Sequence, residues 1–177
     1  MKLNYLLNIV NLLVVWDFLR TFAPSFKSYI YMDNQKIYDK SNRITEVRLT
    51  SFNKSYVKRL LKSKEDIYDR AQHGIDLLDY LCGKFKIANV YLVVKNKPRS
   101  CYGNAQVYGK YYPSKKVIVI YNLTAKTKKP ISINSFYLTL LHEFVHHYDI
   151  EEMKLETSLH TAGFYKRISD LKRKLEE

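Results

Sequence analysis

His142-Glu143-Phe144-Val145-His146 are the residues of this chain whose types and spacing can do chemistry. On a helix, residues four apart lie one turn above each other on one face, so both imidazoles can reach a single ion. Glu143 lies off that line, where its carboxylate can hold a water that the ion also binds. Such an arrangement serves metal-assisted hydrolysis, and zinc is the usual ion for imidazole donors with an open position. The stretch Ser135 to Leu141 and the inserted Phe144 and Val145 are largely apolar, with no Pro or Gly among them. The motif is therefore expected on a buried helix, where two imidazoles and a carboxylate would be costly without a shared partner.

A catalytic zinc takes three protein ligands, so a further residue is needed. His147 is five residues from His142 and projects around the helix from that face, so it is expected behind the ligands or at the surface. A metzincin pattern would place Gly at 149 and His at 152, where this chain has Asp149 and Glu152. Two choices remain. Glu151, Glu152 or Glu156 could supply a carboxylate, or His160 could face back from the start of the last helix. A second electrophile for the oxyanion is expected from Tyr102, Tyr108 or Arg99, and no spacing selects one.

The elements that must position these groups follow from periodicity. Leu3, Leu6, Leu7, Val10, Leu13 and Val14 have helical spacing, and Pro24 closes that region. The run is interrupted by Asn4, Asn8 and Asn11, which argues against a signal peptide, and it is too short and polar to span a bilayer. A cytoplasmic location follows as an expectation. Short strands are expected at Tyr29 to Met32, Ile37-Tyr38 and Ile44 to Leu49. Ser55 to Leu61 reads as a short helix. A longer one, capped by Ser63 with Asp66 at its third position, should bury Ile67, Ala71, Ile75, Leu78 and Leu81 and stop at Gly83. Val90 to Lys95 is a strand, and Ala105 to Tyr112 with Lys116 to Tyr121 is a hairpin around Pro113-Ser114. The apolar run Val117 to Ile120 suggests a strand covered on both faces. Asn134 or Ser135 should cap the motif helix, which runs to about Tyr148 or Asp149, and Phe164, Ile168, Leu171 and Leu175 mark a last helix. The expected fold is a small α+β, zincin-like domain with the motif helix under a twisted, mainly antiparallel sheet. Residues 1–55 would be an appended helix with short strands, and 56–177 the catalytic domain.

At 177 residues the chain suits one well-cored domain. Its net charge is +13, and it carries sixteen tyrosines. Between Asp79 and Glu143 there is no acidic residue, while Lys95, Lys97, Arg99, Lys110, Lys115, Lys116, Lys126, Lys128 and Lys129 fall there among tyrosines. Basic groups for phosphates with aromatic faces for bases describe a surface for nucleic acid, single strands included, and an anionic membrane surface is the other polyanion such charge suits. A general habit of lysine usage is the plainer explanation. Cys82 and Cys101 form no CxxC pair, so both are expected reduced.

His142-Glu143-Phe144-Val145-His146, a short connector, then His160-Thr161-Ala162-Gly163-Phe164 with Arg167-Ile168 resembles the SprT-like metallopeptidase family. In that family a phenylalanine follows the third histidine by four residues, and the resemblance covers roughly residues 64 to 175. Its members are zinc proteases that bind DNA and cleave proteins crosslinked to it. The resemblance implies His142, His146 and His160 as ligands of one zinc ion, Glu143 as the base, and DNA-bound proteins as substrates. Thr161 stands where the family often has Gly, and no cysteine zinc ribbon follows. Two rival readings are a zinc peptidase unrelated to DNA and a non-catalytic basic nucleic-acid-binding domain.

Overall fold

Residue Ser132 sets the helix that carries the motif: its side chain accepts from the Ser135 backbone N–H and so satisfies one of the free donors of the first turn. A computed structural model describes residues 35–63, 66–98 and 108–177. In it, α1 covers 35–43, α2 is Ser55–Leu61, α3 Ile67–Phe85, α4 Ile133–Glu151 and α5 Ala162–Glu176. The strands are β1 Tyr91–Lys95, β2 Gly109–Tyr112 and β3 Val117–Tyr121. The chain divides into two units, Met1–Lys40 and Ser41–Glu177. The second holds every element from α2 onward. The expected N-terminal helix and the strand at Tyr29 to Met32 lie outside the described residues, as do Arg99, Cys101 and Tyr102.

The sheet is mixed, in the order β1-β3-β2. β3 pairs parallel with β1, Tyr91 opposite Val117, and antiparallel with β2, Gly109 opposite Ile120. The expectation of a mainly antiparallel sheet is corrected here: of the two strand pairings among the described residues, β2–β3 is antiparallel and β1–β3 is parallel. The central position of β3 explains its continuous apolar run, with Ile118, Val119 and Ile120 all buried.

α4 packs on β2 and β3, and α3 packs on β1. Phe136, Tyr137, Leu140, Leu141, Phe144, Val145 and Tyr148 bury most of the circumference of α4, which makes it the central helix of the domain. The core is completed by Leu77, Leu81 and Phe85 of α3 and by Phe164, Leu171 and Leu175 of α5.

Three local expectations change. α1 replaces the strand expected at Ile37-Tyr38, with Gln35 Nε2 donating to Asp39 one turn on, at 3.0 Å. Residues 44–50 form no strand either. Their backbone groups are satisfied by side chains instead of a ladder: Val47 N donates to Asp170 at 2.9 Å, Arg48 N to Tyr148 Oη at 3.1 Å, and Lys174 donates to Val47 O at 3.1 Å. Residues 41–50 thus belong with the unit that holds α4 and α5. In α3 the cap is Asp66, not Ser63, and the buried face is Arg70, Gly74, Leu77, Leu78, Leu81, Cys82 and Phe85. Ile67, Ala71 and Ile75 are only half-buried. The face turns because Arg70 is drawn inward to donate to Asn122 Oδ1 (2.7 Å) and Ile131 O (2.8 Å), and Gly74 admits Leu92.

α3 also runs past Gly83 to Phe85 and ends on Lys86, whose φ of 57° is left-handed. Lys116, Lys128 and Lys154 share that conformation. Cys82 is free and buried, and burial pushes its thiol up to about 11, so it stays protonated and inert. No helix among the described residues is long and apolar enough to cross a membrane.

Candidate metal centre

One turn of α4 separates His142 from His146, whose ring centroids lie 5.0 Å apart. His160 comes from the connector just before α5, and Thr161 caps that helix by accepting from Phe164 N. Cap and connector together turn His160 back onto α4. Its Nε2 lies 2.9 Å from Nε2 of His142 and 3.1 Å from Nε2 of His146. Phe164 lies beneath all three rings, at centroid distances of 5.0, 4.5 and 5.1 Å. That contact gives a physical reason for a phenylalanine four residues after the third histidine.

Three converging Nε2 atoms pose a proton-counting problem, because a neutral imidazole has one N–H and cannot satisfy two neighbours. Protonation is no remedy: burial, then the neighbouring histidines, pulls His146 down to about 3, and burial with His160 pulls His142 down to about 4. Neutral donors facing one point are what a cation needs. Ligands about 2.0–2.1 Å from a tetrahedral zinc stand roughly 3.3–3.4 Å apart, close to the spacing found here. The donor set therefore fits such an ion.

The carboxylates weighed as third ligand are elsewhere. Glu152 pairs with Arg48 at 2.6 Å and Glu151 with Lys116 at 2.9 Å, while Glu156 is exposed at the cleft rim. Of the described residues, His142, His146 and His160 are the group whose ligand atoms meet.

His147 is neither a ligand nor at the surface. It is fully buried, with Nε2 2.7 Å from Ala88 O and Nδ1 2.8 Å from Tyr111 Oη. A carbonyl only accepts, so Nε2 carries the hydrogen and Tyr111 donates to Nδ1. His147 thereby fastens α4 to β2 and to the chain leading into β1.

Glu143 is 5% exposed and lies against β2. A Cβ placed on Gly109 would stand 2.6 Å from Glu143 Oε1 and 2.6 Å from Thr139 Cγ2. Only a residue without a side chain lets the strand lie flush over the carboxylate. Two recesses meet at His142, Glu143 and His160. One of about 430 Å³ is lined by Lys110, Tyr111, Glu156 and Ser158. The other, about 380 Å³, is lined by Tyr108, Leu138, Thr139 and Tyr165. Tyr108, the candidate electrophile that falls among the described residues, lines this cleft. Tyr165 was not foreseen, although its place five residues after His160 puts it near the cluster: it is 52% exposed, and its ring stacks at 6.0 Å on His160.

The basic residues do not form one patch. Because β1 and β3 are parallel, Lys95, Lys97 and the loop with Lys126, Lys128 and Lys129 lie at one end of the sheet. Lys115 and Lys116 lie at the other, roughly 13 Å away by strand rise. Lys110 is between them on β2, at the cleft. Lys116 is engaged with Glu151, and Lys95 and Lys110 sit over Tyr121 and Tyr112 at 5.8 and 5.0 Å. Lys97, Lys115, Lys126, Lys128 and Lys129 are exposed.

The chain matches no family model, no curated protein and no solved structure.

Proposed function

We propose that this protein is a zinc-dependent peptidase, with His142, His146 and His160 as ligands and Glu143 as the proton carrier. The observation that supports this reading most is the meeting of three imidazole Nε2 atoms beside a buried glutamate in an open cleft. When bound, the ion supplies Lewis acidity toward a water and a carbonyl oxygen. Glu143 accepts the water's proton on its carboxylate and passes it to the leaving amine. Gly109 keeps that carboxylate in place, and the flanking β2 edge offers its backbone to an extended chain. The likeness to SprT-like peptidases in the ligand spacing and in Phe164 supports a peptide substrate.

DNA-bound protein is the substrate class we infer, on the charge of +13 and on exposed lysines at both ends of the sheet whose strand β2 borders the cleft. The test uses the full chain with a DNA-binding protein as substrate, with and without single-stranded DNA. Wild type should hold one zinc per chain and cleave, and cleavage should rise with DNA and fall with salt. Glu143→Gln should keep the zinc and lose at least about a thousandfold in rate. Cleavage retained in that variant removes Glu143 from the mechanism. Cleavage indifferent to DNA leaves the peptidase and removes the DNA.

A further inference from the structure

Behind His146 a chain of hydrogen bonds runs away from the metal cluster. His146 Nδ1 lies 2.8 Å from Ser158 Oγ, and Ser158 Oγ lies 2.8 Å from Asp149 Oδ2. Arg167 donates to Asp149 twice, from Nε to Oδ1 at 2.9 Å and from Nη2 to Oδ2 at 2.8 Å. Both side chains are 0% exposed. Arg167 is fixed in turn by Ser41 and Ile44: Nη1 donates to Ser41 O at 2.7 Å and to Ile44 O, and Nη2 to the Ser41 hydroxyl Oγ at 3.0 Å.

The hydrogens in this chain can be assigned without ambiguity. A guanidinium only donates and stays charged, so both oxygens of Asp149 accept from it. Oδ2 also accepts the single hydroxyl hydrogen of Ser158. Ser158 then turns only lone pairs toward His146, so Nδ1 must carry the imidazole hydrogen. A neutral ring has just one, which leaves Nε2 bare and aimed at His142 and His160. Among the described residues, His146 is the one histidine of the three whose second nitrogen is held in this way. A buried ion pair is costly unless its remaining groups are satisfied. Here the pair has a consequence that burial alone would not give it: a fixed tautomer and a fixed ring on one ligand.

We propose that Ser158, Asp149 and Arg167 are positioning residues for the metal centre, acting through His146 to present its Nε2 lone pair. The proposal rests on His146 being a ligand. Ser158 is the residue to change, since it is small, lies in the connector and leaves the Asp149–Arg167 pair intact when its hydroxyl is removed. Zinc affinity is measured on the full chain by competition with a chromophoric chelator. Ser158→Ala should bind zinc about 10- to 100-fold more weakly, with the melting temperature of the metal-free protein unchanged. Ser158→Thr, which keeps the hydroxyl, should recover most of the loss. Side-chain nitrogen–proton correlation spectra of the metal-free protein give a second readout: His146 should be the Nδ1–H tautomer in wild type and a mixture in Ser158→Ala. Equal zinc affinity of wild type and Ser158→Ala, or an Nε2–H tautomer in wild type, overturns the relay. A wild type that takes up no zinc overturns the metal centre itself, and the spectra still judge the relay.

Discussion

At the scale of single residues, Gly109 is the most exposed to test, because its role is an absence. A methyl group there has to push Glu143 or Thr139 aside, and Glu143 is the more consequential to move. Gly109→Ala is expected to keep zinc, since the atoms nearest a Cβ there belong to Glu143 and Thr139, and to slow cleavage by on the order of a hundredfold, the usual effect of displacing a catalytic group by about 1 Å. Parallel zinc and rate measurements check this, and an unchanged rate would show that β2 gives way instead. His142 and His146 carry a different prediction. In the metal-free protein their folded pKa values, about 4 and 3, lie below the value of about 6.5 expected when unfolded. Between these values the unfolded chain binds protons that the folded one does not. Their contribution is therefore complete above about pH 6.5 and is lost as the pH falls toward 4. Thermal melts of metal-free protein at stepped pH should show the decline, and His142→Asn with His146→Asn should flatten it.

At the scale of elements, legibility followed the locality of the forces. α4, α5 and β3 were readable because their signals lie within a few residues: an apolar helix, an i,i+4 pair, and an unbroken β-branched run. The third ligand was narrowed to a few residues by the same means. What favours His160 is the meeting of its Nε2 with those of His142 and His146, while Glu151 and Glu152 pair with Lys116 and Arg48, which no local pattern announces. Residues 44–50 have strand composition, yet their hydrogen-bond partners lie on α4 and α5, about a hundred residues on. The parallel pairing of β1 and β3 is non-local in the same sense. The buried face of α3 was misplaced for another reason: it includes an arginine and a glycine, whose inward positions depend on Asn122 and Leu92. Arg167 entered the sequence reading only through family resemblance. Its five bonds tie α5 to Asp149 of α4 and to Ser41 and Ile44, partners that no local pattern announces.

At the scale of the whole molecule, the surplus of positive charge looks different once four of its carriers are placed in the backbone. Lys86, Lys116, Lys128 and Lys154 occupy left-handed conformations that favour glycine, in a chain with only five glycines. A residue with a Cβ gives up roughly 1–2 kcal/mol in such a conformation. Lys86→Gly should therefore raise the unfolding free energy, read from the urea midpoint, by a net amount on the order of 0.5–1 kcal/mol, after the greater freedom of unfolded glycine is subtracted. A lower midpoint would mean that the Lys86 side chain holds something in place. Of the four, Lys154 lies outside the acid-free stretch that suggested nucleic acid, and Lys86, Lys116 and Lys128 lie within it. Lysine fills turn positions that the backbone shape also constrains, so part of the +13 sits where a glycine would serve the turn. Any count of the charge devoted to a polyanion has to begin by setting those positions aside.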